Sequence, residues 1–182
     1  MRNRGLVVVL VLLALIVGGL AFGGYLVRPG GAAPGVPEGA APGGPVPEGA
    51  VPEGATAATI EYVHDGDTLF LTDGTKVRLL GIDTPEVGEH RECYGDEARE
   101  LLRDLLPEGT HVQVLADVQP LDQYGRSLLF VYTDDGVNVS LELIERGAAE
   151  AVVLPPNVLF ADELEAAEDR AQAAGLGMWG AC

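Results

Sequence analysis

An α+β fold, a small five-stranded barrel with helices packed against it, is what the sequence predicts for residues 57–182. Three observations carry that reading. Short runs rich in β-branched and aromatic residues are separated by Asp-Gly turns, amphipathic stretches of helical period stop at Gly or Pro, and the first quarter of the chain has no composition from which to build a core.

That first quarter divides in two. Leu6 to Val27 runs 22 residues without a charge, between Arg2 and Arg4 on one side and Arg28 on the other. As a helix it would be about 33 Å long, enough to cross a hydrocarbon core of about 30 Å. The two arginines predict a cytoplasmic N-terminus and an uncleaved anchor over residues 1–28. Ala21-Phe22-Gly23 offers the other reading, a signal peptide cut at a small-x-small site. Both readings export the rest of the chain. Residues 29–56 are Gly, Pro, Ala and Val with little else, and VPEGA recurs at Val36, Val46 and Val51. With nothing large to bury, this segment is expected to be a flexible tether with a reach on the order of 30 Å.

Within the domain, Thr59–Val63, Leu69–Thr72 and Lys76–Ile82 read as three strands, the last two joined by the hairpin dipeptide Asp73-Gly74. Asp96–Leu106 places Ala98, Leu101, Leu102, Leu105 and Leu106 on one helical face and ends at Pro107. Thr110–Leu115 and Ser127–Thr133 supply two more strands around DQYGR, followed by the turn Asp135-Gly136. A short helix over Ser140–Arg146, with Ser140 as N-cap and Gly147 as its stop, precedes a longer one over Asp162–Ala174 that ends at Gly175.

The net charge is -17, and it belongs to the domain, because three Arg balance three Glu up to Ala55. Such a surface repels polyanions at long range, which weighs against any nucleic-acid partner unless a local site overcomes it. Two cysteines, Cys93 and Cys182, in an exported chain predict one disulfide.

The charges inside the strands are more telling. Arg78 interrupts KVRLLGI, and an unpaired cation there would cost several kcal/mol, so an anionic partner is expected nearby. Asp65 and Asp67 on one turn, with Asp83 and Glu86 on another, can supply it and leave hard oxygen donors for a Ca²⁺ or Mg²⁺ ion. No Cys/His group has zinc spacing, and no EF-hand ligand series follows Asp67. Ser127 and Ser140 lack triad partners at nucleophile spacing, while His64, His90 and His111 are scattered. Tyr62, Tyr132 and Trp179 read as core residues. With Arg126, the set holds what phosphodiester hydrolysis needs: two guanidiniums for the phosphate and a carboxylate for water.

The ordered series VHDGDT, VRLLGIDTPE, YGDEA, DQYGRSL, LIERGAAE and GLGMWG resembles the staphylococcal nuclease-like (thermonuclease) domain family from about Thr59 to Trp179. The resemblance implies a five-stranded OB-fold barrel with three helices. It implies Asp67, Asp83 and the Thr84 carbonyl as Ca²⁺ ligands, with Asp65 near the metal without ligating it. Arg78 and Arg126 become phosphate-binding arginines, Glu86 the carboxylate that handles the attacking water, and Tyr124 a contact to a terminal phosphate. The implied activity is calcium-dependent cleavage of DNA and RNA with little sequence choice, by a monomer. The alternative is a barrel that only binds nucleic acid or protein. Two departures stand out. Ala151-Val152-Val153-Leu154-Pro155 has no aromatic where the family stacks a base, and Gln123 replaces the basic residue that often precedes the tyrosine of the QYGR turn.

Overall fold

A computed structural model describes residues Ala50–Cys182. The expected anchor or signal, and the tether up to residue 49, lie outside the described residues. No helix among the described residues is long and apolar enough to cross a membrane. The last residues of the expected tether join the domain, since Val51 packs against the core and Ala55 N–H closes a turn on the Pro52 carbonyl.

In chain order the elements are β1 (Thr56–Val63), β2 (Thr68–Leu71), β3 (Lys76–Leu79), β4 (Ile82–Asp83), a 3-10 turn at Gly88–His90, α1 (Gly95–Leu105), β5 (His111–Leu121), β6 (Ser127–Thr133), α2 (Val139–Glu145), β7 (Glu150–Ala151), α3 (Ala161–Ala174) and a last turn, α4 (Met178–Ala181). Five of the strands close a barrel in the order β1-β2-β3-β6-β5, with only β3 and β6 parallel. Alternation explains which residues fill it. Leu69, Leu71, Val77 and Leu79 point inward with Ile60, Val112 and Val131 and are almost fully buried, so Phe70, Lys76 and Arg78 fall on the outer face.

Several boundaries differ from the sequence reading: β1 begins at Thr56 instead of Thr59, and β5, expected over Thr110–Leu115, runs on to Leu121. The strand expected to run through Ile82 stops at Leu79. The chain turns at Leu80-Gly81, and Ile82–Asp83 pairs instead with Glu150–Ala151 in a separate two-stranded sheet. The N-cap of α2 is Asn138, whose side chain accepts the N–H groups of Ser140 and Leu141, a cap of about 1 kcal/mol. Ser140 lies inside the helix, fully buried, and donates its hydroxyl to the Leu80 carbonyl at 2.9 Å. The hydroxyl expected to cap the helix is thus spent on the Leu80 carbonyl, and the cap falls to Asn138 two residues earlier.

The helices cover the barrel with the faces their periodicity sets. Ala98 and Leu102 of α1 and Leu106 just after it are buried, with acidic residues in the first turn and Arg103 in the last, as the helix dipole favours. Leu143 and Ile144 of α2 are buried, as are Leu164, Ala167 and Ala171 of α3, whose small alanines allow close approach. Phe160, at the start of α3, meets Phe130 of β6 edge to face at 4.8 Å.

Candidate active site

The site begins with a turn. Asp65 Oδ1 accepts the backbone N–H groups of Asp67 at 3.1 Å and Thr68 at 2.6 Å, which winds the chain tightly between β1 and β2 and turns Asp67 inward. Asp67 is 8% exposed. Its Oδ1 accepts the Thr68 hydroxyl at 3.0 Å, and its Oδ2 lies 3.0 Å from Arg78 Nη2 and accepts the Thr84 N–H at 3.4 Å. The two acidic turns touch at Gly66. A Cβ there would stand 2.5 Å from Thr84 Oγ1, so only glycine lets the DTPE segment come this close.

Arg78 is satisfied throughout its terminal edge. Nη1 donates to the carbonyls of Leu79 and Ile82 at 2.7 and 2.8 Å, and Nη2 reaches Asp83 Oδ1 at 2.7 Å as well as Asp67. The anionic partner that the strand pattern demanded is therefore a pair of carboxylates sharing one guanidinium. Burial pushes the Asp67 carboxyl up to about 6. Arg78 pulls it down, while the charges of Asp65 and Asp83 raise it further.

Glu86 is exposed at the rim. Its backbone is held by Glu92, which accepts the Glu86 N–H at 3.0 Å and donates its own N–H to the Glu86 carbonyl at 2.9 Å. At Gly95, the first residue of α1, a Cβ would meet the Glu86 carbonyl at 2.3 Å, so the catalytic-carboxylate candidate rests directly on the start of that helix. Cys93, between these two residues, is bonded to Cys182, as the cysteine count predicted.

On the opposite side, the β5–β6 turn is organised by Asp122. Its Oδ1 accepts the N–H groups of Tyr124 and Arg126, both at 2.9 Å, and its Oδ2 accepts Arg126 Nε at 2.6 Å. Partial burial works against the charged form of Asp122, but these bonds outweigh it and hold the carboxyl below its ordinary range. The ε edge of Arg126 is thereby fixed, and its terminal nitrogens have no acceptor among the described residues. The Tyr124 ring, largely exposed, lies 5.7 Å from that guanidinium.

Asp65, Asp67, Arg78, Asp83, Thr84, Glu86 and Arg126 all line one cleft of about 180 Å³. Every residue that the sequence assigned to catalysis or metal binding is therefore in one place. Tyr124 lines a neighbouring groove of about 420 Å³, shared by Arg78 and Arg126 and walled by Leu79, Leu128, Val152, Leu154 and Pro155. The stretch without aromatics thus forms an aliphatic wall, with Gln123 beside it. The histidines stay out of the cleft: His111 contacts Thr59 Oγ1 at 3.2 Å, and His64 sits edge-on to Phe70.

Three contributors escaped the sequence reading: Gly66, Glu92 and Asp122. Asp122 alone left a signal, since an Asp two and four residues before Tyr124 and Arg126 is the spacing of a carboxylate that ties up its own turn. A correction also applies to Tyr62, which is not core: it is 37% exposed and stacked on Phe70. Tyr132 is buried as expected, and Trp179 is half-buried.

The donor set fits a hard cation. Two carboxylates share one arginine, and burial, together with the charges of Asp65 and Asp83, raises the Asp67 carboxyl more than Arg78 lowers it. No cluster of three or more His, Cys, Asp or Glu side chains placed to hold a metal occurs among the described residues. The ligand set that the resemblance implies, Asp67, Asp83 and the Thr84 carbonyl, holds only two carboxylates and would need water to complete the shell of an ion that takes six to eight oxygens.

The model of the family described as "Staphylococcal nuclease homologue" matches residues 76–181. Among curated relatives, the thermonuclease of Staphylococcus intermedius is 33% identical over 126 residues, an alignment covering 66% of this chain and 74% of that protein. SPbeta prophage-derived endonuclease YokF and endonuclease YncB, both of Bacillus subtilis (strain 168), are each 33% identical over 128 residues. These alignments cover 66% of this chain but only 43% and 60% of the two Bacillus proteins.

Proposed function

Because the chain belongs to the staphylococcal nuclease homologue family, we propose that it is a calcium-dependent nuclease that hydrolyses phosphodiester bonds in DNA and RNA with little sequence choice. One observation carries the proposal: Asp67, Arg78, Asp83, Thr84, Glu86 and Arg126 line the same cleft, though the β1–β2 turn, strand β3, the segment from β4 to Glu86 and the β5–β6 turn contribute them separately.

The roles follow from the contacts. Arg126, pinned at its ε edge by Asp122, presents its terminal N–H groups to a phosphoryl oxygen and to the charge that builds on it in the transition state. Arg78, anchored to two carbonyls, brings a second positive charge to the same space while holding Asp67 and Asp83 in register. Glu86 is exposed and its backbone fixed, so its carboxylate can orient a water and take its proton. A Ca²⁺ held by Asp67, Asp83 and the Thr84 carbonyl would add Lewis-acid stabilisation of the phosphoryl charge. Local charge is what overcomes the acidic surface: the phosphate meets two guanidiniums and a divalent ion, whatever the domain carries elsewhere.

Export belongs to the same proposal. The apolar run Leu6–Val27 and the following Gly/Pro-rich segment would hold the domain outside the membrane on a tether, or release it if the run is cleaved. The Cys93–Cys182 bond suits an oxidising compartment. Digestion of plasmid DNA and of RNA by the purified protein, with Ca²⁺ and with a calcium chelator, tests the activity. Cleavage of neither nucleic acid in the presence of Ca²⁺ would leave a barrel that only binds.

A further inference from the structure

The outer face of the barrel next to the cleft carries an aromatic pair that neither the core nor the cleft uses. The Tyr62 and Phe70 rings stack with centroids 4.6 Å apart and planes within 13°. Tyr62 is 37% exposed, and Lys76 Nζ stands 5.5 Å from the centre of the Phe70 ring. Lys76 is the one lysine of the chain. Among the described residues it is also the one Lys or Arg without a carboxylate within 4.0 Å, since each of the arginines is paired. In a domain this acidic, an unneutralised cation beside a part-exposed aromatic pair is a local exception.

Strand register places that exception relative to the site. Thr68 pairs with Arg78 and Phe70 with Lys76, so Arg78 and Lys76 lie two residues apart on the same outward face of β3. Two strand residues span about 7 Å, the length of about two stacked nucleotide steps. A strand whose phosphate sits beside Arg78, drawn by its charge since its terminal nitrogens are already bonded, can therefore lay a base near Tyr62 and a neighbouring phosphate near Lys76.

We propose that Tyr62, Phe70 and Lys76 form a stacking subsite for a single-stranded nucleic acid, one or two nucleotides from the phosphate held by Arg78 and Arg126. The proposal rests on the nuclease reading and extends it. Stacking on an aromatic face is tolerant of sequence, because every base has such a face. The aliphatic wall of Val152, Leu154 and Pro155 offers no such face, and the aromatic of that groove, Tyr124, lies against the Arg126 guanidinium at 5.7 Å, which leaves Tyr62 and Phe70 as an aromatic platform apart from it. The competing account is that Tyr62 and Phe70 are a cross-strand pair that only stabilises the β1–β2 hairpin.

The test compares kcat/KM for octathymidylate with kcat/KM for a thymidine p-nitrophenyl phosphodiester, which has no second nucleotide. In Tyr62→Ala the ratio of the two should fall about tenfold. Lys76→Ala, which removes no ring, should make the octathymidylate KM less salt-dependent by roughly 0.7 in log-log slope. In Tyr62→Trp the ratio should be kept, and octathymidylate should quench the new indole fluorescence above the Trp179 background. Stability lost in Tyr62→Ala with an unchanged ratio, and no quench in Tyr62→Trp, would overturn the subsite and leave the cross-strand pair. A wild type that cleaves neither substrate removes the nuclease reading instead. The Tyr62→Trp quench, which needs no turnover, then still decides whether the strand binds there.

Discussion

Glu92 holds the backbone of Glu86 from both sides, its carboxylate accepting the Glu86 N–H at 3.0 Å and its own N–H donating to the Glu86 carbonyl at 2.9 Å. Two acidic residues six positions apart thus have unequal duties. One faces the cleft and the other keeps it facing there.

Replacing Glu92 by Ala should lower kcat about tenfold with little change in KM, the cost of one lost hydrogen bond of about 1.4 kcal/mol. Glu92→Gln keeps an oxygen that can accept the Glu86 N–H and should recover most of the rate. Steady-state kinetics of both variants decide the matter, and equal losses would show that Glu92 acts through its charge.

Glu86→Gln and Arg126→Ala should each reduce turnover about a hundredfold or more, the range for a lost proton acceptor or a lost transition-state charge. Both side chains lie at the cleft surface, so thermal unfolding should move little. Near-normal rates in either variant would refute the role given to that residue.

The fold was legible wherever local chemistry and tertiary packing agree. Asp73-Gly74, Pro107, Gly147 and Gly175 ended elements close to where the sequence said they would. The misses share a cause. Ser140 reads as a cap until the Leu80 carbonyl is found to need its hydroxyl, and Tyr62 reads as core until the bulge between Ile60 and Tyr62 turns it outward. Ile82 and Asp83 look like the end of a strand until Glu150 and Ala151 are found beside them, far along the chain. The cleft residues were readable because isolated charges in apolar strands need partners. Glu92 and Gly66 were not, because their work is done on backbone atoms that leave no mark in side-chain pattern.

Calcium should stabilise the domain in a pH-dependent way. Asp67 has a folded-state pKa of about 6 against an ordinary value of 3.8, so the folded protein binds more protons than the unfolded chain across that window. The contribution of this group is fully present below the window, is lost as pH rises through it, and stays lost above pH 6 unless a cation supplies the missing charge. The rise in Tm on adding Ca²⁺ should therefore be larger at pH 7 than at pH 5, and a chelator should abolish it. An equal rise at both pH values would separate cation binding from Asp67.

Cys93 and Cys182 should be found bonded in protein purified without reductant. Closing a loop of 89 residues stabilises by about 4.6 kcal/mol in the chain-entropy model, so reduction should lower Tm by roughly 10 °C or more. Intact mass and calorimetry with and without reductant check both statements. Two alkylatable thiols in untreated protein would contradict the pairing.

The short side sheet has a consequence for how the domain holds together. Asp67 hangs from the barrel, whereas Asp83 is laddered to Glu150, and the next residues tie onward, Ala151 N–H to Glu168 of α3 and Val152 N–H to the Gly81 carbonyl. Anything that grips both carboxylates acts as a rivet through two layers. Its occupancy would be felt as slowed hydrogen exchange in β7 and α3, which have no side chain in the cleft. An empty rivet hole would let the helical layer breathe away from the barrel along the line of Asp83.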